Sequence, residues 1–172
     1  MAGVSLPVIS TYSIESAGSE FQTYAATLHN TTSRTWATAN TAIALPFVVE
    51  TSFVCANGLV HNGAAVSGNL DIGIYTTAFA KVASSGSVAQ AGVNTLQLVT
   101  LSTTLAAGEY YMVLALDNVV GTVFGNSPTA PGTRLWKGFT MAAAFPLPAT
   151  LTPAANSTVT NMVYGITSRS FA

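Results

Sequence analysis

Charge is what this sequence has least of. Of its 172 residues, 5 are Lys or Arg and 6 are Asp or Glu, a charged fraction of 6% with a formal net charge of −1. Globular domains usually carry about 25%, so little on this surface keeps copies apart in solution. A domain buried against many neighbours is the reading adopted here; a Thr- and Ser-rich extracellular β-protein is the other. Charge-driven disorder is excluded, because it needs low hydrophobicity and 49% of the residues are apolar. Nucleic acid is not an expected partner. The basic residues Arg34, Lys81, Arg134, Lys137 and Arg169 are scattered, whereas phosphate neutralisation needs a cluster.

Cysteine, histidine and long apolar runs are also scarce. Cys55 stands alone, so no disulfide framework exists within the chain, and in Phe53-Val54-Cys55-Ala56 it reads as a small buried hydrophobe. His29 and His61 have no metal-ligand spacing, and a zinc site wants three or four ligands. His61, beside Asn62-Gly63, reads as a loop residue. No stretch approaches the roughly 20 apolar residues of a membrane helix, and Met1–Ser10 lacks the basic and apolar regions of a secretion signal. Neither a membrane partner nor an export signal is expected. The triplets Asn30-Thr31-Thr32 and Asn156-Ser157-Thr158 then read as chance glycosylation patterns.

Reactive constellations are missing too. Asp71 and Glu109 each open a strand, and adjacent strands would bring them together as acid/base work requires. The preferred reading is that they solvate strand ends and discourage edge pairing. Nucleophile elbows, phosphate loops and dinucleotide fingerprints are absent. Gly58, Gly63, Gly68, Gly86 and Gly92 are spaced as hairpin turns instead. A non-enzymatic protein without metal or cofactor is expected.

What the sequence does have is a period of two. Strands are expected over Phe21–Leu28, Thr41–Ala56 (two strands, kinked or edged at Pro46), Leu70–Tyr75, Val82–Ala89, Thr95–Leu101, Glu109–Leu116, Val119–Phe124, Leu135–Met141 and Thr158–Thr167. Turns are expected at His29–Thr32 and at Ala56-Asn57-Gly58. Glu109–Leu116 is apolar on both faces and therefore central. Asn126–Gly132 reads as an exposed loop. One all-β domain follows, a jelly-roll-like β-sandwich of about eight to ten strands over residues 20–172. A Pro-rich extended segment spans 142–156, and Met1–Ser19 forms an N-terminal arm.

The aromatics have three uses to choose from: core, subunit contact or sugar stacking. Trp36, Tyr75, Tyr110, Tyr111, Trp136 and Phe139 are the candidates for a glycan face. The strongest contact patch is Trp136, Lys137 and Phe139 with the nearby Pro146 and Pro148. Residues Phe139–Pro153 and Met1–Ser19 are expected to bury more surface against neighbouring subunits than the body strands do, as exchanged arms that add to a neighbour's edge.

Asn69-Leu70-Asp71-Ile72-Gly73-Ile74-Tyr75 resembles a recurring segment of tailed-bacteriophage structural proteins. The likeness continues through Ser85-Gly86-Ser87, Gly92, Leu96-Gln97, Gly108-Glu109-Tyr110-Tyr111 and Leu114-Ala115-Leu116-Asp117, and takes in Leu45-Pro46-Phe47-Val48. It covers about residues 40–120, a little under half the chain. The resemblance implies a virion β-sandwich module, and it brings no catalytic residues. With the small size and low charge, it leads to the expectation of a capsid decoration or cement protein. Such a protein would bridge the major capsid protein or other virion proteins as a homo-oligomer, a trimer being one arrangement. The alternative is a tail, neck or fibre component that contacts host-surface glycans.

Overall fold

The computed structural model describes residues 20–22, 31–126, 137–142, 144–153, 157–158, 162 and 164–168. Thirteen strands lie among them. They are β1 (Glu20–Gln22), β2 (Thr31–Thr35), β3 (Thr41–Val49), β4 (Phe53–His61), β5 (Asn69–Thr76), β6 (Lys81–Ser84), β7 (Val88–Ala89), β8 (Leu96–Leu105), β9 (Gly108–Leu116), β10 (Thr122–Asn126), β11 (Lys137–Met141), β12 (Ser157–Thr158) and β13 (Tyr164–Thr167). The chain is an all-β sandwich. A seven-stranded antiparallel sheet runs β12-β11-β3-β9-β5-β6, with β7 also on β5; a four-stranded sheet runs β1-β13-β4-β8; a ribbon pairs β10 with β2. Consecutive strands β3 and β4 enter opposite sheets, as do β8 and β9, and β3 pairs β9 while β4 pairs β8. One antiparallel ribbon thus wraps across both layers of the sandwich.

The core follows from side-chain alternation. Leu70, Ile72 and Ile74 of β5 and Met112, Leu114 and Leu116 of β9 face inward. They meet Phe53, Cys55 and Val60 of β4 and Tyr164 and Ile166 of β13. Tyr164 carries its hydroxyl into this layer and donates to the Ile43 carbonyl at 3.0 Å, so a buried polar group is satisfied across the sandwich. Gly58 faces Ile72 where the sheets approach closely; a Cβ there would lie 2.5 Å from Ile72 Cγ2.

The two-sided apolar pattern of β9 has its expected cause. Tyr111, Val113 and Ala115 on its other face are buried with Ala42, Ala44, Tyr75, Met141, Ala144, Leu147 and Leu151. The outer face of the large sheet is thus covered by the chain's own segment 144–153.

Several local expectations change. Ala56-Asn57-Gly58 is no turn but lies inside β4, where the register to β8 shifts between Cys55 and Asn57 and Ser102 adopts a φ of 46°. A bulge of this kind moves a strand's side chains to the other face, keeping both Phe53 and Val60 inward. The break between β3 and β4 falls after Val49 rather than at Pro46. Among the described residues β11 pairs only Ala42–Ala44 of β3, and Pro46 lies beyond that pairing. Thr31–Thr35, expected to begin as a turn, forms β2. The expected arm at Met1–Ser19, and all of the expected loop beyond Asn126, lie outside the described residues.

Candidate functional site

Of the residues expected to form a contact patch, Phe139 and Pro148 contact the chain's own sheet. Trp136 lies outside the described residues. Lys137 and Phe139 are on β11, with Phe139 in register with Ala44. The Phe139 ring packs edge-on against Tyr111 (5.6 Å) and Phe79 (5.5 Å) on the outer face of its own sheet. Pro146 is exposed; Pro148 is half-buried, and its carbonyl accepts a 2.6 Å hydrogen bond from the Tyr75 hydroxyl. Part of Phe139–Pro153 thus packs as a strap against the outer face of the chain's own sheet. This strap lies on its own domain, with Leu147 and Leu151 each 3% exposed.

The strap is held by a set of groups at one place on β5. Asp71, Gly73 and Tyr75 share the outer face, as strand alternation requires. The Leu147 N–H donates to Asp71 Oδ2 at 2.9 Å, and Ser85 Oγ donates to Oδ1 at 3.2 Å. Lys81 Nζ donates to the Leu147 carbonyl at 2.8 Å. Backbone bonds from Lys81 N to the Ala149 carbonyl and from Leu151 N to the Phe79 carbonyl complete the strap's edge. Gly73 leaves the space that Leu147 fills, since a Cβ there would come within 2.9 Å of Leu147 Cδ1. Burial pushes the Asp71 carboxyl above its ordinary value, opposed by its hydrogen bonds from Leu147 and Ser85 and by the Lys81 charge.

Asp71 thus corrects the expectation of a solvated strand end: it is 0% exposed on an interior strand. It does not meet Glu109 either. Strands β5 and β9 are adjacent but antiparallel, so Asp71 pairs with Ala115 while Glu109 pairs with Val48 at the far end. The six residues from Glu109 to Ala115 span about 20 Å, too far for two carboxyls to divide acid and base roles.

A second polar construction braces one end of the sandwich. Asn62 is fully buried; its amide donates to the Ala91 carbonyl (2.5 Å) and to Gln97 Oε1 (2.9 Å), and its Oδ1 accepts from Gln90 Nε2 (3.0 Å). Gln90 also donates to the Thr122 carbonyl and accepts from Ser67 N. Beside it Asp117 accepts from both the backbone and side-chain amides of Asn69 at 2.9 Å. Burial raises the Asp117 carboxyl, but hydrogen bonds from Asn118 and Asn69 outweigh it and hold it below the ordinary value. The loops tied together carry Val93 and Val119, exposed by 49% and 46%, and Val120, exposed by 62%. Neither Asn62 nor Gln90 stood out in the sequence; an amide in a polar-rich turn signals nothing until its partners are folded against it.

Among the remaining candidates, Trp36 is 2% exposed and donates its indole N–H to Thr41, and Tyr75 is wholly buried, so neither offers a ring to a sugar. His61 is no loop residue. It ends β4 with its ring stacked on Phe124 at 4.5 Å, and burial lowers its pKa below the usual 6.5. Burial pushes the Cys55 thiol up to about 12. Among the described residues no three His, Cys, Asp or Glu side chains are grouped so that they could hold a metal ion. In comparisons with known proteins, no family model and no curated sequence matches this chain.

Proposed function

We propose that this chain is a non-enzymatic structural component of a bacteriophage virion, working as a capsid decoration or cement protein that bridges neighbouring shell subunits. One observation carries the structural part of the reading. The buried or strongly perturbed groups that could do chemistry are committed to architecture: Asp71 anchors the strap, Asp117 a turn, His61 stacks on Phe124, and Cys55 sits in the core. What remains outside is a nearly uncharged surface bearing exposed Val48, Val54, Val82, Val93, Leu96, Val119 and Val120. A rigid body with apolar projections binds by shape, with little ordering cost on contact. The virion part rests on the resemblance of Asn69–Tyr75 and the segments after it to tailed-phage structural proteins.

The deciding experiment is a density map of intact particles from the source, with the copy number of this chain measured by quantitative mass spectrometry. Many copies spread over the head support decoration. A few copies at a vertex or tail reject it in favour of the tail or fibre role, and absence from particles rejects both.

A further inference from the structure

The four-stranded sheet ends on β8, whose outer edge pairs with no further strand among the described residues. The margin of the large sheet at β6 is guarded, since that strand is four residues long and carries Lys81. Strand β8, Leu-Gln-Leu-Val-Thr-Leu-Ser-Thr-Thr-Leu, is ten residues long with no charge and no proline. Natural sheets blunt a long edge with Lys, Pro or a bulge, because unpaired backbone groups template another strand. Here the guard is the irregularity at Ser102, which leaves Leu96–Thr100 as a regular stretch of five residues.

The hydrogen-bond alternation of an antiparallel ladder fixes which groups of that stretch point outward. The Asn62 N–H donates to the Thr95 carbonyl, so Asn62 and Thr95 form a bonded pair. Counting by twos along the register, Val60 with Gln97 and Gly58 with Val99 are bonded pairs as well. Leu96, Leu98 and Thr100 belong to the intervening pairs, so their N–H and C=O groups face away from β4. Their side chains lie on the outer face, with Leu96 52% exposed, Leu98 half-buried and Thr100 exposed.

We propose that two copies of this chain pair through β8, antiparallel about a two-fold axis at Leu98, to make one continuous eight-stranded sheet across a dimer. In that register Leu98 exchanges both backbone hydrogen bonds with its symmetry mate, and Leu96 does so with Thr100 of the other copy. The argument for a second copy as the occupant is charge. A two-fold edge places each strand against its own sequence, so an edge with one net sign meets like charge, and like charges directly opposed are destabilising. An edge without charge escapes that penalty. This proposal stands apart from the virion reading and does not depend on it.

The test is sedimentation equilibrium of the full chain across a range of concentrations, on three proteins: unsubstituted, Leu96→Lys/Thr100→Lys and Leu96→Lys/Thr100→Glu. Both positions are exposed, and circular dichroism with a thermal melt checks that each variant is folded. The unsubstituted chain should dimerise. The Lys/Lys variant sets a lysine at position 96 of each copy against a lysine at position 100 of the other. It should weaken the dimer about ten-fold, from two cross-strand pairs at about 0.7 kcal/mol each. The Lys/Glu variant sets opposite charges in the same places and should dimerise at least as well as the unsubstituted chain. Amide exchange at Leu96, Leu98 and Thr100 should slow as concentration rises. A monomer at every concentration overturns the proposal, as does a folded Lys/Lys variant that associates as tightly as Lys/Glu.

Discussion

The backbone N–H of Leu147 donates to the carboxyl of Asp71 at 2.9 Å, joining positions 76 residues apart. Through this contact and its neighbours, the outer face of the large sheet is closed by the chain itself. Asp71 receives the strap's N–H, Gly73 makes room for its leucine, and Tyr75 binds its next carbonyl. The three residues alternate along one strand, so a single face of β5 is a receiving surface for an extended segment.

Replacing Asp71 with Ala should therefore cost about 3 kcal/mol, because it strands the buried Leu147 N–H without an acceptor. Asn, which keeps an acceptor oxygen, should cost less. Urea denaturation of Asp71→Ala and Asp71→Asn measures both, and equal stability of all three proteins would refute the anchoring role.

The same group sets a pH dependence of definite sign. The folded-state value of Asp71 is raised above 3.8, so its contribution is full below 3.8 and is lost as pH climbs from there through the raised folded value. Asp117 is shifted downward, so its contribution is present above 3.8 and is lost as pH falls through its depressed folded value. Urea midpoints from pH 2 to 8 should separate them. Asp71→Asn should remove the decline on the alkaline side of 3.8, and Asp117→Asn the decline on the acid side.

Gly73→Ala should destabilise by about 1–3 kcal/mol through overpacking, because the added methyl meets Leu147 Cδ1, the Ala83 carbonyl and Ser84. Trimming the strap removes one of these collisions. In a double-mutant cycle, Gly73→Ala should cost less in a Leu147→Ala background than in the natural one, by about 0.5 kcal/mol or more. Strict additivity would mean that Leu147 does not occupy the space above Gly73.

The elements were legible wherever alternation was strong. Leu70–Tyr75 and Glu109–Leu116 fall within β5 and β9. Long-range pairing was not legible. Asp71 read as a solvated carboxylate because a lone Asp at a strand start usually is one, and only the strap, 76 residues on, buries it. Pro146 and Pro148 did not announce the strap's partner, because proline fixes a backbone shape without naming the surface on which it lies. Ala56-Asn57-Gly58 has turn composition, yet the glycine is needed for the approach of Ile72 from the opposite sheet.

Cys55 gives a direct probe of how this body opens. It is 0% exposed, its thiol points to the Asn57 carbonyl at 3.6 Å, and burial pushes its pKa up to about 12. At pH 8 the folded protein holds almost none of it as thiolate, the reactive form, so alkylation should proceed only through molecules in which β4 has separated from the opposite sheet. With one cysteine in the chain, labelling has a single origin. Under conditions where reclosing is faster than reaction, the rate reports the opening free energy. Asp71→Ala, which loosens the outer strap, should speed labelling only if strap release is coupled to opening of the inner core. An unchanged rate with lowered global stability would instead place the strap and the core in separate cooperative units. Rapid alkylation of the unsubstituted protein, at the rate of a free thiol, would contradict the buried position of Cys55 itself.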